Sequence, residues 1–587
     1  MSPTDAQLAG LLPLAVVLPI GGAVLALVAG RVGRLLPTVV SLVAMLACTG
    51  LLVVVAVRVY GDRVLVEHLG HWHPVGGAQL GVTFVADPLA VLFALLTAAL
   101  GSVLLLHTLS ELGGLGKREA GGYCCLVQLL LAALIGAALT ADLLDLFVWF
   151  EVAALASYGL TGFLLERAVS LEAALKIAVL TNMAAFMVFV AVALLYGNHG
   201  ATNVGQLRGS LGEAVHTADL VALALLIAGF ATKAGVVPFH GWLPDAHSVT
   251  AGPISALFSG LMVNLGVLAI ARAVRDVYPE LAQVRPLLVS LGCVSAVLGA
   301  LMALAQDDLK RLLAYDTISQ MGVLLAAVGL ADASALSGMV YHLVDHAMFK
   351  ALMFLCAGAI VHATGMTNLS EMGGLWRHRP VTTVAFVVGA LAVAGVPPLN
   401  GFVSVGTIHD AFERSATASG RAGFVLLTIA QALTVAALAR AVWLGFLRRR
   451  DDDYDRMEKP RPGMIVSFGL LATGCVVLGC VPTWFLHHVA DPAAATLVDG
   501  HAYATAALGH SGSLAVEPTS VEVWRAGHLA LTALMIAVGL LLAWWYVRRS
   551  SEPRPVSLLR RLHNGSANEY ASWSILGLVV LVAVLGL

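Results

Sequence analysis

The chain has 587 residues, 59% of them hydrophobic and only 12% charged, with a mean hydropathy of +0.90. Soluble domains carry roughly 25% charged residues, which excludes a water-soluble globular chain, and the formal net charge of −2 offers no basic surface for nucleic acid. The seven cysteines (Cys48, Cys124, Cys125, Cys293, Cys356, Cys475, Cys480) show no C-x-x-C and no His/Cys metal spacing. Most lie in apolar runs, where a thiol behaves as a small hydrophobe, so no metal or redox cofactor is expected.

The apolar residues fall in runs of about twenty, enough to cross about 30 Å of hydrocarbon. They predict an all-α polytopic membrane protein with about sixteen spans. The first run, 8–30, lacks a preceding basic n-region and reads as a retained span, not a cleaved signal. Runs at 35–58, 84–107, 122–140, 143–164 and 170–196 follow, then a span at 218–247 broken at Pro238. Next come 252–274, 286–305, 309–330, 334–362, a second broken span at 381–413, and 421–447. Runs at 463–487, 524–547 and 570–587 complete the set. The longer connections are 59–83, the charged linker Arg448–Pro462, the polar stretch 488–523, and 548–569. Loops after odd-numbered spans hold roughly twice as many Lys and Arg as the others, which predicts those loops to be cytoplasmic, both termini outside, and residence in the plasma membrane.

The two broken spans share a sequence. Ala234–Trp242 (AGVVPFHGW) aligns without gaps to Ala394–Phe402 (AGVPPLNGF), an offset of 160 residues. They are the seventh and twelfth spans, an odd separation, so the second copy is expected upside down relative to the first. Inverted repeats with discontinuous helices at matching positions point to an ion site near the midplane. The expected organisation is three N-terminal spans in 1–121, a first repeat 122–275, a second repeat 286–447, and a linker with three C-terminal spans in 448–587.

Ionisable residues inside these spans are the functional candidates, because a charge in the bilayer is costly. Three of the six lysines, Lys176, Lys233 and Lys350, lie within predicted spans. Glu151 sits in an otherwise apolar stretch, LFVWFEVAALASYGL. A carboxylate and an amine on neighbouring helices form an ion pair whose closing or opening moves the lysine pKa, which is a proton switch. In the eleventh span His342, His346 and Lys350 are spaced i, i+4, i+8 and share one face. Neutral imidazoles there suit proton relay. A bis-histidine metal site is the competing reading, with no second ligand-rich segment to support it. Asp316 and Asp345 lie in the tenth and eleventh spans and His240 in the first break. Asp142, Asp145 and Asp245 fall at span ends, where capping or water contact is the expected role.

With Glu151, Lys233, PFHGWLPDAH, DDLKRLLAYDTISQMG, HxxxHAxFKALMF and GVPPLNGF in place, the chain resembles the antiporter-like membrane subunits shared by respiratory complex I, Mrp-type sodium/proton antiporters and group 4 membrane-bound hydrogenases. The likeness covers roughly residues 85–447. The PPLNGF wording, VHATGMTNLSEMGGLWRHRP and the extra C-terminal spans look most like large hydrogenase or Mrp D-type members. The resemblance implies a fourteen-helix core of two inverted five-helix repeats with broken helices 7 and 12. It also implies a charged, watered axis at mid-membrane and work as one subunit of a heteromeric complex. It makes Glu151 and Lys233 the switch pair, places Lys350 with His342 and His346 on the axis of the second repeat, and matches Lys176 to a sixth-helix lysine.

The sequence departs from that family pattern at four places. Asn264 stands where a lysine is usual and Val405 where a charged residue is usual, while Asp316 replaces an expected serine and Asp345 an expected asparagine. His409, one turn beyond Val405, and Asp410 beside it are the candidates to replace the lost charge. The first functional reading is proton translocation along this axis, driven by redox chemistry in partner subunits or by sodium exchange, with no redox or hydrolytic centre of the chain's own. A second is Na⁺/H⁺ antiport, with Asp316 and Asp345 suited to a hard cation. A third is energy coupling to a soluble partner, such as one handling inorganic carbon.

Overall fold

The computed structural model describes residues 3–61, 63–74, 79–111, 115–163, 168–213, 215–278, 281, 283–449, 459–509, 519, 522–549 and 565–586. Arg167, most of the linker Arg448–Pro462, part of the polar stretch 488–523 and most of 548–569 lie outside the described residues.

Among those residues, 15 helices are long and apolar enough to cross a membrane, and Pro380–Val393 is a shorter apolar helix. The protein is a multi-pass membrane protein, mostly helical. In chain order the elements are α1 (Leu14–Val32), α2 (Leu36–Val59), β1 (Leu65–His68), β2 (Thr83–Ala86), α3 (Pro88–Glu111), α4 (Lys117–Leu139), α5 (Leu143–Thr161) and α6 (Ala168–His199). The first broken span is α7 (Thr217–Ala234) with α8 (Trp242–Val249). It is followed by α9 (Gly252–Val277), α10 (Val284–Ala305), α11 (Leu309–Leu330) and α12 (Ala333–Thr364). The second is α13 (Pro380–Val393) with α14 (Asn400–Arg414). Then come α15 (Ala418–Leu447), α16 (Pro462–Cys480), α17 (Asp491–Val498), α18 (Gly500–Ala507), α19 (Ala526–Arg548) and α20 (Ala567–Val584).

Two connections differ from expectation. An antiparallel hairpin lies at the end of 59–83 and takes the first residues of the run expected as a span from 84, with Leu65 opposite Ala86 through His68 opposite Thr83. Polar residues and histidines interrupt any alternation there, so periodicity did not signal it. The stretch 488–523 contains α17 and α18, and α16 ends at Cys480 where a span to 487 was expected. These short helices are held by polar contacts. Arg272 on α9 takes both carboxylate oxygens of Asp87 (2.7 and 2.6 Å), reaches Asp276 at 3.0 Å and lies over the Tyr503 ring at 4.0 Å. Arg272 Nη2 serves both Asp87 oxygens while Nη1 takes Asp276, charge-assisted contacts that join α9 to the start of α3, and the stacking on Tyr503 adds α18.

Lipid gives no hydrophobic drive between helices, so close approach by small residues holds the bundle. The α10–α11 seam shows it: a Cβ on Gly322 would lie 2.4 Å from the Ala296 backbone nitrogen. Only glycine fits at that distance.

The two breaks have the same local geometry. Gly235 and Gly395 adopt φ of 69° and 72°, a left-handed conformation that glycine takes without a Cβ clash. Val236 N–H then donates to Ala231 O and Val396 N–H to Leu391 O, each at 3.0 Å. Phe239 N–H donates to Val236 O and Leu399 N–H to Val396 O at 2.7 and 2.9 Å. All are repeated at the offset of 160, and the first pair closes a Schellman-type helix end. An unsatisfied carbonyl inside a bilayer is expensive. Trp242 Nε1 donates to Thr232 O at 2.6 Å, and Gln431 Nε2 to Val393 O at 2.9 Å. Each broken end therefore has its own side-chain donor.

Candidate functional site

Lys233 occupies the last turn of α7, immediately before the first break, and is 4% exposed. Phe150 on α5 packs against Phe230 on α7 with ring centroids 5.3 Å apart, which brings Glu151 to the same region. The two charges are not joined. Lys233 Nζ and Glu151 Oε1 have no hydrogen-bond partner among the described residues. The expected switch pair is open here.

A fully buried ion pair joins α11 and α12. Lys350 on α12 donates to Asp316 Oδ2 on α11 at 2.5 Å and to Leu313 O at 3.0 Å, with both charged side chains fully buried. Asp316 Oδ1 accepts from Gln320 Nε2 at 3.4 Å, one helical turn along α11. Gln320 Oε1 is 3.0 Å from His342 Nε2, and His342 Nδ1 is 3.0 Å from Ser404 Oγ on α14. With the Gln320 amide nitrogen on Asp316, its oxygen accepts from His342 Nε2–H, so neutral His342 accepts at Nδ1 from the Ser404 hydroxyl. The result is one continuous buried chain, Lys350–Asp316–Gln320–His342–Ser404, crossing three helices.

The remaining axis residues fall around it. His346 lies on the predicted stripe, its ring centroid 6.3 Å from that of His342, and neither ring nitrogen has a partner among the described residues. Asp345 accepts from Asn400 Nδ2 at 2.8 Å where α14 begins. His247 on α8 is fully buried, stacked on Phe354 at 4.5 Å, with both ring nitrogens unpartnered among the described residues. It sits in the PFHGWLPDAH motif yet is not one of the residues the sequence singles out. Gln320 and Ser404 are missed as well, because neutral polar residues on apolar helices carry no signal until their partners are known.

The departures acquire structural roles. Asn264 Nδ2 donates to Gly260 O at 2.8 Å and to Leu343 O at 3.2 Å. Gly260 belongs to a π turn, Phe258–Met262, and the asparagine fastens that turn of α9 to α12. Val405 is buried and apolar. His409 Nδ1 donates to Val405 O on its own helix at 2.9 Å, leaving Nε2 without a partner among the described residues. Asp410 is ion-paired with Arg414 at 2.6 Å and Arg525 at 3.0 Å.

The other candidates have these partners. Lys176 pairs with Glu172 at 2.7 Å and with Asp245 at 3.0 Å. Asp245 is the centre of that cluster, its other oxygen taken by Arg311 at 2.9 Å beside a cavity of about 200 Å³. Asp316 is held by Lys350 and Asp345 by Asn400. Asp142 does cap α5, accepting from Leu144 N–H and Asp145 N–H. His240 lies in the turn of the first break, its carbonyl accepting from Leu243 N–H at 3.0 Å.

Buried ionisable groups beside a broken membrane helix are the places where functional sites of membrane subunits are sought. The family described as NADH:quinone oxidoreductase/Mrp antiporter, TM, matches residues 140–433. The chain is 32% identical over 429 residues to NADH-quinone oxidoreductase subunit N of Desulforudis audaxviator, covering 70% of this chain and 84% of that protein. It is 34% identical over 363 residues to a Na(+)/H(+) antiporter protein of Alkalihalophilus pseudofirmus, covering 61% and 72%. A chain in the solved Mrp complex from Dietzia sp. superposes with a TM-score of 0.76 at 26% identity, covering 87% of this chain and all of that one. The chain belongs to the NADH:quinone oxidoreductase/Mrp antiporter transmembrane family.

Proposed function

We propose that the chain is a proton-translocating subunit of a multisubunit membrane complex of the complex I, Mrp or hydrogenase kind. Glu151 and Lys233 act as the switch of the first half, and Lys350, His342 and His346 carry protons through the second. The observation that carries the reading is the continuous chain from Lys350 to Ser404, all of it buried. A proton can pass between Lys350 and Asp316, and the hydrogen bonds from Gln320 and Ser404 orient the His342 imidazole as the next group able to take one up. Lys233, unpartnered among the described residues, is ready to take Glu151 or to give up its proton. The two units 122–275 and 286–447 are read as inverted copies, with 1–121 before and 448–587 after. The protein is placed in the plasma membrane with both termini outside.

The Na⁺ alternative is weakened by Lys350, whose ammonium already occupies the Asp316 carboxylate. Pure energy coupling without transport is favoured by one observation, the apolar Val405 at a position that is charged in the resembling family. Proton uptake into sealed vesicles holding the complex separates these readings. Lys233→Ala and Lys350→Ala should each abolish it, and unchanged uptake in both would overturn the proposal.

A further inference from the structure

The buried chain ends at Ser404, below an apolar Val405. What lies beyond is built in part by α19, which is outside the matched stretch 140–433. This helix packs on α15 and α14 and brings two residues to the Arg414 end of α14. His528 is 5% exposed, and its Nε2 lies 3.2 Å from Asp410 Oδ1, within ion-pair distance but without hydrogen-bond geometry. Gly406 leaves room for the ring: a Cβ there would lie 3.7 Å from His528 Nδ1. Arg525, just before α19, pairs with the same Asp410 oxygen at 3.0 Å and has a second carboxylate, Glu413, at 3.8 Å. His409 presents its Nε2, unpartnered among the described residues, from the neighbouring position on α14. A carboxylate 3% exposed is thus shared by two permanently charged guanidiniums, Arg414 and Arg525, and one imidazole.

Resting on the proton-path reading above, we propose that His528 and Arg525 form the outlet of that path. His528 Nε2 takes up and releases the proton beside Asp410, and Arg525 is the displaceable countercharge that shuts the outlet. In the closed arrangement Arg525 holds Asp410 and His528 is neutral. When a proton arrives past His409, His528 gains one N–H bond and one positive charge and takes the Asp410 oxygen. Arg525 then moves to Glu413. Release of the proton to water restores neutral His528 and returns Arg525 to Asp410. No other bond is made or broken, and the charge on the cluster rises and falls by one. The groups facing His528 are Asp410, His409 and Arg414 from α14 and Arg525 at the start of its own helix, with Glu413 behind Arg525.

The test uses the complex purified from native membranes and sealed in vesicles, with proton uptake as the readout. His528→Ala in the assembled complex should lower uptake at least about tenfold, as for loss of a positioned acid–base group. Added imidazole should restore a measurable part of the rate in His528→Ala and none in Lys350→Ala. Arg525→Gln, which removes the displaceable countercharge, should raise uptake above wild type, and an unchanged or lower rate overturns the closing role of Arg525. Wild-type uptake in His528→Ala overturns the proposal, and so does a loss that imidazole leaves unchanged. Absence of uptake in the wild-type complex instead overturns the proton-path reading, so the two failures are distinguishable.

Discussion

Lys350 reaches Asp316 across two helices at 2.5 Å, and both side chains are fully buried. Removing one partner of such a pair leaves an uncompensated charge, which costs about 3–5 kcal/mol. Asp316→Ala should therefore destabilise the chain by about that amount, read as thermal unfolding of the detergent-solubilised complex. Lys350→Met in the same background should recover most of the loss, and a double variant no more stable than Asp316→Ala alone would show the pair is not coupled.

The two breaks should respond unequally to loss of their side-chain donors. Gln431→Leu removes the donor to Val393 O, and Trp242→Phe the donor to Thr232 O. A buried polar group left unsatisfied costs about 1–3 kcal/mol, the loss of stability expected of Gln431→Leu by thermal unfolding. Trp242→Phe should lose less, because Thr232 O still accepts from Gly235 N–H at 3.2 Å. A silent Gln431→Leu would mean that the second break is satisfied in another way.

Asn264 is expected to be structural. Asn264→Leu removes donors to Gly260 O and Leu343 O, so stability should fall by about 1–3 kcal/mol. Proton uptake per assembled complex should stay near the wild-type rate. A tenfold fall in uptake with unchanged stability would place Asn264 on the path instead.

The cluster at Asp245 is expected to be separate from the axis. Lys176→Met should leave Asp245 paired with Arg311, with uptake near the wild-type rate. Loss of uptake comparable to Lys233→Ala would return Lys176 to the path.

These outcomes also mark what could be read from the chain itself. The spans and both breaks were legible because long apolar runs, Gly235 and Gly395 act locally. So was the stripe His342–His346–Lys350, since helical spacing alone sets it. The partner of Lys350 was not, because Asp316 is 34 residues away on another helix and only packing brings them together. Gln320 and Ser404 are ordinary residues until His342 lies between them. The helices α17 and α18 were read as loop because polar contacts to Arg272 and Thr140, not apolar periodicity, hold that region.

The most direct test of the central claim is proton uptake by vesicles containing the complex with Gln320 replaced. Gln320→Leu breaks the link between Asp316 and His342 without touching a charge, whereas Gln320→Glu keeps an acceptor for His342. The chain Lys350–Asp316–Gln320–His342–Ser404 predicts that Gln320→Leu lowers uptake at least about tenfold, while Gln320→Glu, sharing a proton with the neighbouring Asp316 carboxylate and so keeping a donor to it, retains most of it. Wild-type uptake in Gln320→Leu would contradict a path through these residues.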